Sequence, residues 1–428
     1  MDRIMDRVLV KDLDQFSGKQ VTVRGWVHRI RELGGISFVI LRDRSGMAQL
    51  VFEGSLEFGL ETVLAASGTV QANEKAPGGF EIAVLQVEIM AAAAGDLPLP
   101  VNQDPERIGL EAILDNRMIS LRNPKIRSIF TLQSAICEYF AEYLRQQDFT
   151  EIKTSKLIGS GTEGGTGLFE VEYFETKVYL AQSPQFYKQA MVSSGMERVF
   201  EIGAAYRAEK HDTPRHLNEY VSLDVEMGFI DSEHDLMDLE VGILSYIFDK
   251  VRENHQDILD MWNASVPSAD QVAKAPRIPH EEAKKIVSDR LGRRLFEINP
   301  EAERVICDWA MENYGVDLVF INEFPRKKRP FYTFPRGLKT MSFDLIFRGL
   351  EITTGGRRIN EYPMLLETLP RFGLTEEGLG GYADIFKYGC PPHGGFAIGL
   401  ERLTQKILGL SNVKEASLFP RDRKRIKP

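Results

Sequence analysis

Residues 200–229, FEIGAAYRAEKHDTPRHLNEYVSLDVEMGF, constrain the fold more than any other stretch of this chain. Apolar Phe200 and Ile202 open a strand-like segment that runs to Arg207 and Glu209. A polar loop with His211, Arg215 and His216 follows, then a second alternating segment carrying Asp224 and Glu226. Two alternating runs around a charged loop predict an antiparallel hairpin, because period-two patterning puts one face of each strand in a core. Arginine in such a loop suits a carboxylate or a phosphate, since its planar fork donates two parallel hydrogen bonds. A solvated hairpin with ordinary surface charge fits the same residues, and this segment alone does not separate the two readings.

The rest of the chain gives that hairpin a setting. Residues 19–52 alternate strongly, with turn signals at Gly34-Gly35 and Ser45-Gly46, and residues 78–92 form a further strand pattern. With a short helix expected over 56–67, about 100 residues of this kind suggest a small closed barrel of the OB-fold type. Pro98, Pro100 and Pro105 mark a linker. The expected division is a barrel domain over 1–103, a hinge over 104–124 and a larger domain over 125–428. From Lys125 to Gln147 apolar residues recur at helical spacing. Strand-like segments at 150–182 and 197–230 are followed by helical patterns at 233–255, 280–292 and 301–314, with extended segments at 317–322 and 342–353. Helices set among antiparallel strands make the larger part α+β.

Composition narrows the function classes less than the motifs do. The formal charge of −9 argues against a nucleic-acid binder without excluding one, because only a local face must be basic. Cys137, Cys307 and Cys390 are scattered, with neither metal spacing nor a disulfide framework, which fits a reducing cytoplasm. The N-terminal residues have no long apolar core, so neither a signal peptide nor a membrane span is expected there.

Two further blocks carry chemistry. GCPPHGGFAIGLERL ends in Gly399–Arg402, and SFDLIFRGLEITTGGRRINEY (342–362) places Asp344, Glu351, Arg357 and Arg358 around a Gly pair. Taken in order with the 200–229 hairpin, these blocks resemble motifs 2 and 3 of the class II aminoacyl-tRNA synthetases, in detail the aspartyl-tRNA synthetases of short, archaeal type. The resemblance runs from the N-terminal GWV to the C-terminal LFPRDRKRIKP. It implies an N-terminal OB-fold anticodon domain and a class II antiparallel-sheet catalytic domain, acting as a homodimer on ATP, Mg²⁺, L-aspartate and tRNA(Asp).

The resemblance also implies roles. Arg207 bridges the ATP α-phosphate and the aspartate α-carboxylate, Glu209 accepts from the adenine amino group, and His216 reaches the γ-phosphate. Arg402 clamps the nucleotide from the other side. Glu351, assisted by Asp344, holds Mg²⁺, with Thr354 at the magnesium-side position beside the substrate where Ser is common. Glu163, in the Gly-rich lid TEGGTGLFEV, meets the α-ammonium, and Gln185 lies beside it. Lys188 and Arg358 take the side-chain carboxylate of aspartate. Asparagine would then leave two buried cations facing an amide, at roughly 2–5 kcal/mol by analogy with a broken buried charge pair. Lys188 also favours an aspartyl over an asparaginyl enzyme.

In the barrel, Phe38 and Gln49 sit where the family stacks and hydrogen-bonds the central anticodon base, with Glu81 as a third contact. Phe38 as plain barrel core is the competing reading. Arg24, Arg29, Arg31 and Arg42 are expected on phosphates. His28 and Pro77 stand where enzymes restricted to tRNA(Asp) tend to have Trp and Lys. They imply relaxed specificity that includes tRNA(Asn), with a separate amidotransferase downstream. Three positions depart from the pattern: Ser155 replaces a dimer-interface proline, Thr354 replaces Ser, and Gly167 replaces an acidic lid residue. The rivals are a discriminating aspartyl enzyme, an asparaginyl-tRNA synthetase, a catalytically idle RNA-binding paralogue, and an amino-acid amidating enzyme, which would not need residues 1–100.

Overall fold

The computed structural model describes residues 7–159 and 167–427. The chain divides into two compact units, one up to Asn123 and the other from Pro124 onward.

The first unit is a closed barrel of five strands: β1 (Gln20–Leu33), β2 (Ile36–Arg42), β3 (Met47–Glu53), β4 (Val63–Ala72) and β5 (Phe80–Ala91), in the order β1-β2-β3-β5-β4. Alternation fills its core with Val21, Val23, Val39, Leu41, Leu50, Leu64 and Ile82. Residues 56–67 are not a helix: Val63–Ser67 belong to β4 and pair with β1 and β5. Leu, Glu and Ala favour helix locally, and Ser55 could cap one, but closing the barrel rewards the extended form more. Residues 104–123 group with the barrel and carry short helices at Leu110–Asp115 and Arg117–Ser120.

The second unit is built on a sheet of eight strands: β6 (Thr150–Glu151), β10 (Arg198–Tyr206), β11 (Glu219–Gly228), β12 (Arg277–Pro279), β13 (Leu318–Asn322), β16 (Ser342–Phe347), β17 (Leu350–Arg357) and β18 (His393–Gly399). Smaller sheets hold β7 (Leu157–Ile158), β8 (Glu170–Tyr173) and β9 (Thr176–Leu180), and β14 (Pro335–Arg336) with β15 (Lys339–Thr340). The main order is β12-β13-β16-β17-β18-β11-β10-β6, antiparallel except for the outer pairs β12–β13 and β10–β6. The 200–229 hairpin is β10–β11, in unbroken register from Arg198↔Met227 to Tyr206↔Glu219.

One face of this sheet packs under the helices Pro124–Gln146, Glu233–Asn254 and Leu400–Leu408, through Phe200, Leu223, Val225, Phe320 and Phe396. On the other face, the helices His280–Leu291 and Pro300–Tyr314 cover the β12-β13-β16 end and reach the start of β17, packing against Val319, Ile321 and Ile346. That leaves the second face of β18, β11, β10 and the rest of β17 uncovered by these helices, and the cleft opens there. Among the described residues no helix is long and apolar enough to cross a membrane. All three cysteines are free.

Candidate active site

The alternation of β11 sends Leu223 and Val225 into the helix-covered core and turns Ser222, Asp224 and Glu226 to the open face. The short helix Gln185–Met191 follows Pro184 and stands over that face, so Gln185 and Lys188, three apart, project together. A cleft of about 670 Å³ results. Its lining brings together Gln185, Lys188, Arg207, Glu209, His216, Glu351, Thr354, Arg358 and Arg402. Residues as far apart in sequence as Gln185 and Arg402 therefore meet in one cavity. Glu163 lies outside the described residues.

Lys188 and Arg358 converge, but not as free cations. Lys188 Nζ donates to Asp224 Oδ1 at 3.0 Å and lies 3.3 Å from Glu226 Oε2. Arg358 donates from Nε to Glu226 Oε1 at 3.0 Å and from a terminal nitrogen to Gln185 Oε1 at 3.3 Å. Burial would push the Glu226 carboxyl up, but Arg358 and then Lys188 outweigh it and hold it below the usual carboxylate range. Two cations and two carboxylates thus neutralise one another. This corrects the expectation of two uncompensated charges. An amide in place of a carboxylate would cost hydrogen bonds to charged groups, roughly 1.5–3 kcal/mol, rather than the full cost of stranded charge. Gly395 makes the cluster possible, because a Cβ there would collide with Val225 O and Glu226 Oε2.

Beneath Glu226 runs a neutral chain. Tyr382 Oη donates to Gln189 Oε1 at 3.0 Å, and Gln189 Nε2 lies 2.8 Å from His393 Nε2. His393 Nδ1 is 2.8 Å from Pro391 O, so Nδ1 carries the proton and Nε2 accepts. Burial lowers His393 and keeps it uncharged.

Arg207 follows β10 directly. Its loop is fixed by Asn218, whose Nδ2 donates to Arg207 O at 2.6 Å and to Glu209 O at 3.0 Å. His216 Nε2 lies 3.4 Å from Glu209 Oε2, and burial lowers the imidazole despite that carboxylate. Arg402, on the helix after β18, donates to Glu351 O at 2.9 Å and to Arg215 O at 3.4 Å. Arg215 is paired with Glu303, which also accepts from Glu351 N at 3.2 Å.

Asp344 and Thr354 are register partners on β16 and β17. Thr354 Oγ1 donates to Glu351 Oε1 at 3.3 Å. Asp344 Oδ1 is buried without a hydrogen-bond partner, while Arg329 lies 2.8 Å from Oδ2. Burial, partly offset by Arg329, pushes the Asp344 carboxyl up to about 6. Among the described residues no three His, Cys, Asp or Glu could hold a metal by themselves. Two carboxylates and a hydroxyl, one oxygen of them unpartnered, do fit Mg²⁺ completed by substrate phosphates.

On the barrel, Phe38 is half-exposed on the outer face of β2, between buried Ser37 and Val39, and is not part of the core cluster. Gln49 and Glu81 are register partners on β3 and β5, bonded at 2.7 Å, and Asn73 donates to the same Glu81 oxygen at 2.8 Å. Pro77 is exposed. His28 is not: it is 7% exposed, behind Arg42, whose guanidinium meets His28 Nδ1 at 2.9 Å. Burial and then Arg42 bring the imidazole down to about 4. Arg42 is itself 2% exposed and holds Glu61 through two bonds, at 3.1 and 2.9 Å, so it reaches no phosphate here. Ser155 is exposed, and its hydroxyl donates to Leu157 O at 2.9 Å.

Reasoning from sequence missed Asp224 and Arg329 in the cleft lining, and Glu226 and Glu303 buried behind it. Period-two alternation from Ser222 could have placed Asp224 and Glu226; the others reach the site only through the tertiary fold.

Comparison with known proteins places the chain in a family. Residues 109–423 match the family described as tRNA synthetases class II (D, K and N), and residues 21–90 match the OB-fold nucleic acid binding domain. The chain is 48% identical to an aspartate–tRNA(Asp/Asn) ligase of Thermus thermophilus, over 99% of this chain and 100% of that one. It is 40% identical to an aspartate–tRNA(Asp) ligase of Pyrococcus abyssi, over 97% and 98%. The crystal structure of an asparaginyl-tRNA synthetase from Pyrococcus horikoshii with asparaginyl-adenylate superposes with a TM-score of 0.91 at 28% identity, over 99% of this chain and 100% of that one.

Proposed function

The chain belongs to the class II tRNA synthetases of the D, K and N group, and from that premise we propose that it activates L-aspartate with ATP and loads it onto tRNA. It is an aminoacyl-tRNA ligase. The observation that carries the choice of aspartate is the convergence of Lys188 and Arg358 on one buried point beside Gln185. The substrate side-chain carboxylate would join that cluster, and its α-ammonium would meet Asp224, Gln185 and Glu163.

No general base is required, because a carboxylate is already a nucleophile. Its oxygen forms a bond to the α-phosphorus while the bond to pyrophosphate breaks. Arg207 would hold both partners in line, and His216 and Arg402 would hold the departing end. Asp344, Glu351 and Thr354 would carry Mg²⁺, which when bound neutralises phosphate charge. Then a ribose hydroxyl at the tRNA 3′ end attacks the adenylate carbonyl and AMP leaves.

Barrel residues Phe38, Gln49 and Glu81 would read the anticodon. The relatives that accept both tRNA(Asp) and tRNA(Asn), together with His28 and Pro77, support the relaxed range, in which an amidotransferase would finish the asparagine product. A homodimer working in the cytoplasm completes the proposal.

ATP–pyrophosphate exchange with aspartate, asparagine and glutamate in parallel tests it. Exchange with aspartate alone is expected. Exchange driven by asparagine would transfer the assignment to an asparaginyl enzyme. Charging purified tRNA(Asp) and tRNA(Asn) decides the tRNA range.

A further inference from the structure

The chain carries a formal charge of −9, yet one lip of the cleft concentrates cations. Residues 326–329 read RKKR, and Arg326–Lys328 form a single 3-10 turn. Arg329 turns inward, 2.8 Å from Asp344 and over the Phe324 ring at 3.7 Å. Lys327 and Lys328 are both exposed, and both line the cleft. Lys328 meets Glu297 at 2.9 Å, a side chain that is itself 72% exposed. Lys327 forms no ion pair among the described residues. Arg326 donates to Thr368 Oγ1 at 2.8 Å, and burial together with repulsion from Arg371 lowers it, so the 368–374 segment lies alongside. Phe372 and Leu374 of that segment line the same cleft.

Adenylate formation leaves this lip unused. We propose that Lys327 and Lys328, with Phe372 beside them, bind the single-stranded 3′ end of tRNA as it enters for the transfer step. The proposal rests on the reading of the chain as a tRNA ligase. Transfer brings a polyanion into the cleft of an acidic protein, so local cations must offset phosphate repulsion. A basic track beside an aromatic ring is how single strands are held without sequence readout, since any base can stack. Lysine suits a strand that must arrive and leave, because its charge is compact and its stem adaptable.

The test uses the full chain carrying Lys327→Glu and Lys328→Glu together, assayed for exchange and for tRNA charging across a salt series. Exchange with aspartate should stay within about twofold of wild type, while the KM for tRNA rises roughly tenfold or more. The slope of log KM against log salt should weaken by about 1.4, as for two lost single-strand phosphate contacts. Lys327→Arg with Lys328→Arg should restore charging. An unchanged tRNA KM overturns the proposal. So does a matching fall in exchange with a raised KM for pyrophosphate, which would assign the lysines to the leaving group. Failure of the underlying reading would look different: the wild-type chain would then neither exchange with aspartate nor charge tRNA.

Discussion

The floor of the catalytic cleft and the outer face of the barrel hold their polar side chains in opposite ways. In the cleft, Lys188, Asp224, Glu226 and Arg358 are each at most 6% exposed, and every one is fixed by a charged neighbour. On the barrel, Phe38, Gln49 and Glu81 are half-exposed, and Gln49 is held by one bond to Glu81. A buried, fully paired cluster is already ordered before substrate arrives, so selection costs little reorganisation, but losing any member strands a charge. A half-exposed aromatic face spends ordering energy on binding and tolerates change. The small, rigid ligand and the large, flexible one are met accordingly.

Glu226→Gln should have the largest effect. It removes the shared counterion of Lys188 and Arg358, and a loss of about 3–5 kcal/mol in denaturant unfolding is expected. A loss under about 1 kcal/mol would mean that the two cations are effectively solvated and the contrast with the barrel is false. Arg207→Ala comes next, with exchange reduced roughly 10²–10³-fold, as for removal of a preorganised donor at a developing charge. Its unfolding midpoint and its affinity for the isolated anticodon stem-loop should stay at wild-type levels.

A third test stays at the sheet but leaves the cleft. Glu240 is fully buried under β17, accepting from Thr353 Oγ1 at 2.6 Å, and among the described residues it forms no ion pair. Burial pushes its carboxyl up to about 8, the reverse of Glu226. The unfolded group titrates in the ordinary carboxylate range, so folding takes up a proton between these values. Stability from this group therefore falls as pH rises from the ordinary range through about 8. Glu240→Gln should flatten that decline, by on the order of 4 kcal/mol between pH 5 and pH 8.5. Parallel unfolding profiles for variant and wild type would show that Glu240 is ionised throughout.

Much of the scaffold was legible, and the reasons differ by region. The helix expected over 125–147 is Pro124–Gln146, because its apolar spacing and its packing ask for the same face. The 200–229 hairpin was readable for the same agreement of local and tertiary demands. Residues 56–67 misled because strong helix formers there are needed as strand partners of β1. The counterions of Lys188 and Arg358 were hidden, since Asp224 and Glu226 read as hairpin acids until strand pairing brought them under the helix. His28 was hidden by a bulge: the β1–β2 register shifts between Val27 and Arg29, so Val27 and His28 are both buried where simple alternation would expose one.

On the barrel face, Phe38→Ala should raise the KM for tRNA by roughly ten- to a hundredfold, the value of about 1–3 kcal/mol for one stacked base. Exchange, which involves no tRNA, should not change. A fall in exchange would show that Phe38 supports the fold and would return it to the core reading.

His28 is the smallest and sharpest case, because it belongs to the barrel yet is built like the cleft. Its neutral ring accepts from Arg42, which also grips Glu61, and Arg122 meets the same Glu61 at 3.0 Å. Any influence on RNA is therefore relayed through this buried network. His28→Trp removes the acceptor and adds volume, while Arg42 keeps both bonds to Glu61. The relayed effect should be modest, about 0.5–1 kcal/mol in the preference for tRNA(Asp) over tRNA(Asn), read as the ratio of charging efficiencies on the two purified tRNAs. Overpacking should separately lower the unfolding stability by about 1–3 kcal/mol. If both charging efficiencies drop by the same factor, the residue matters to the barrel's stability alone. A shifted ratio would mean that a fully enclosed hydrogen bond helps choose between two tRNAs it does not touch.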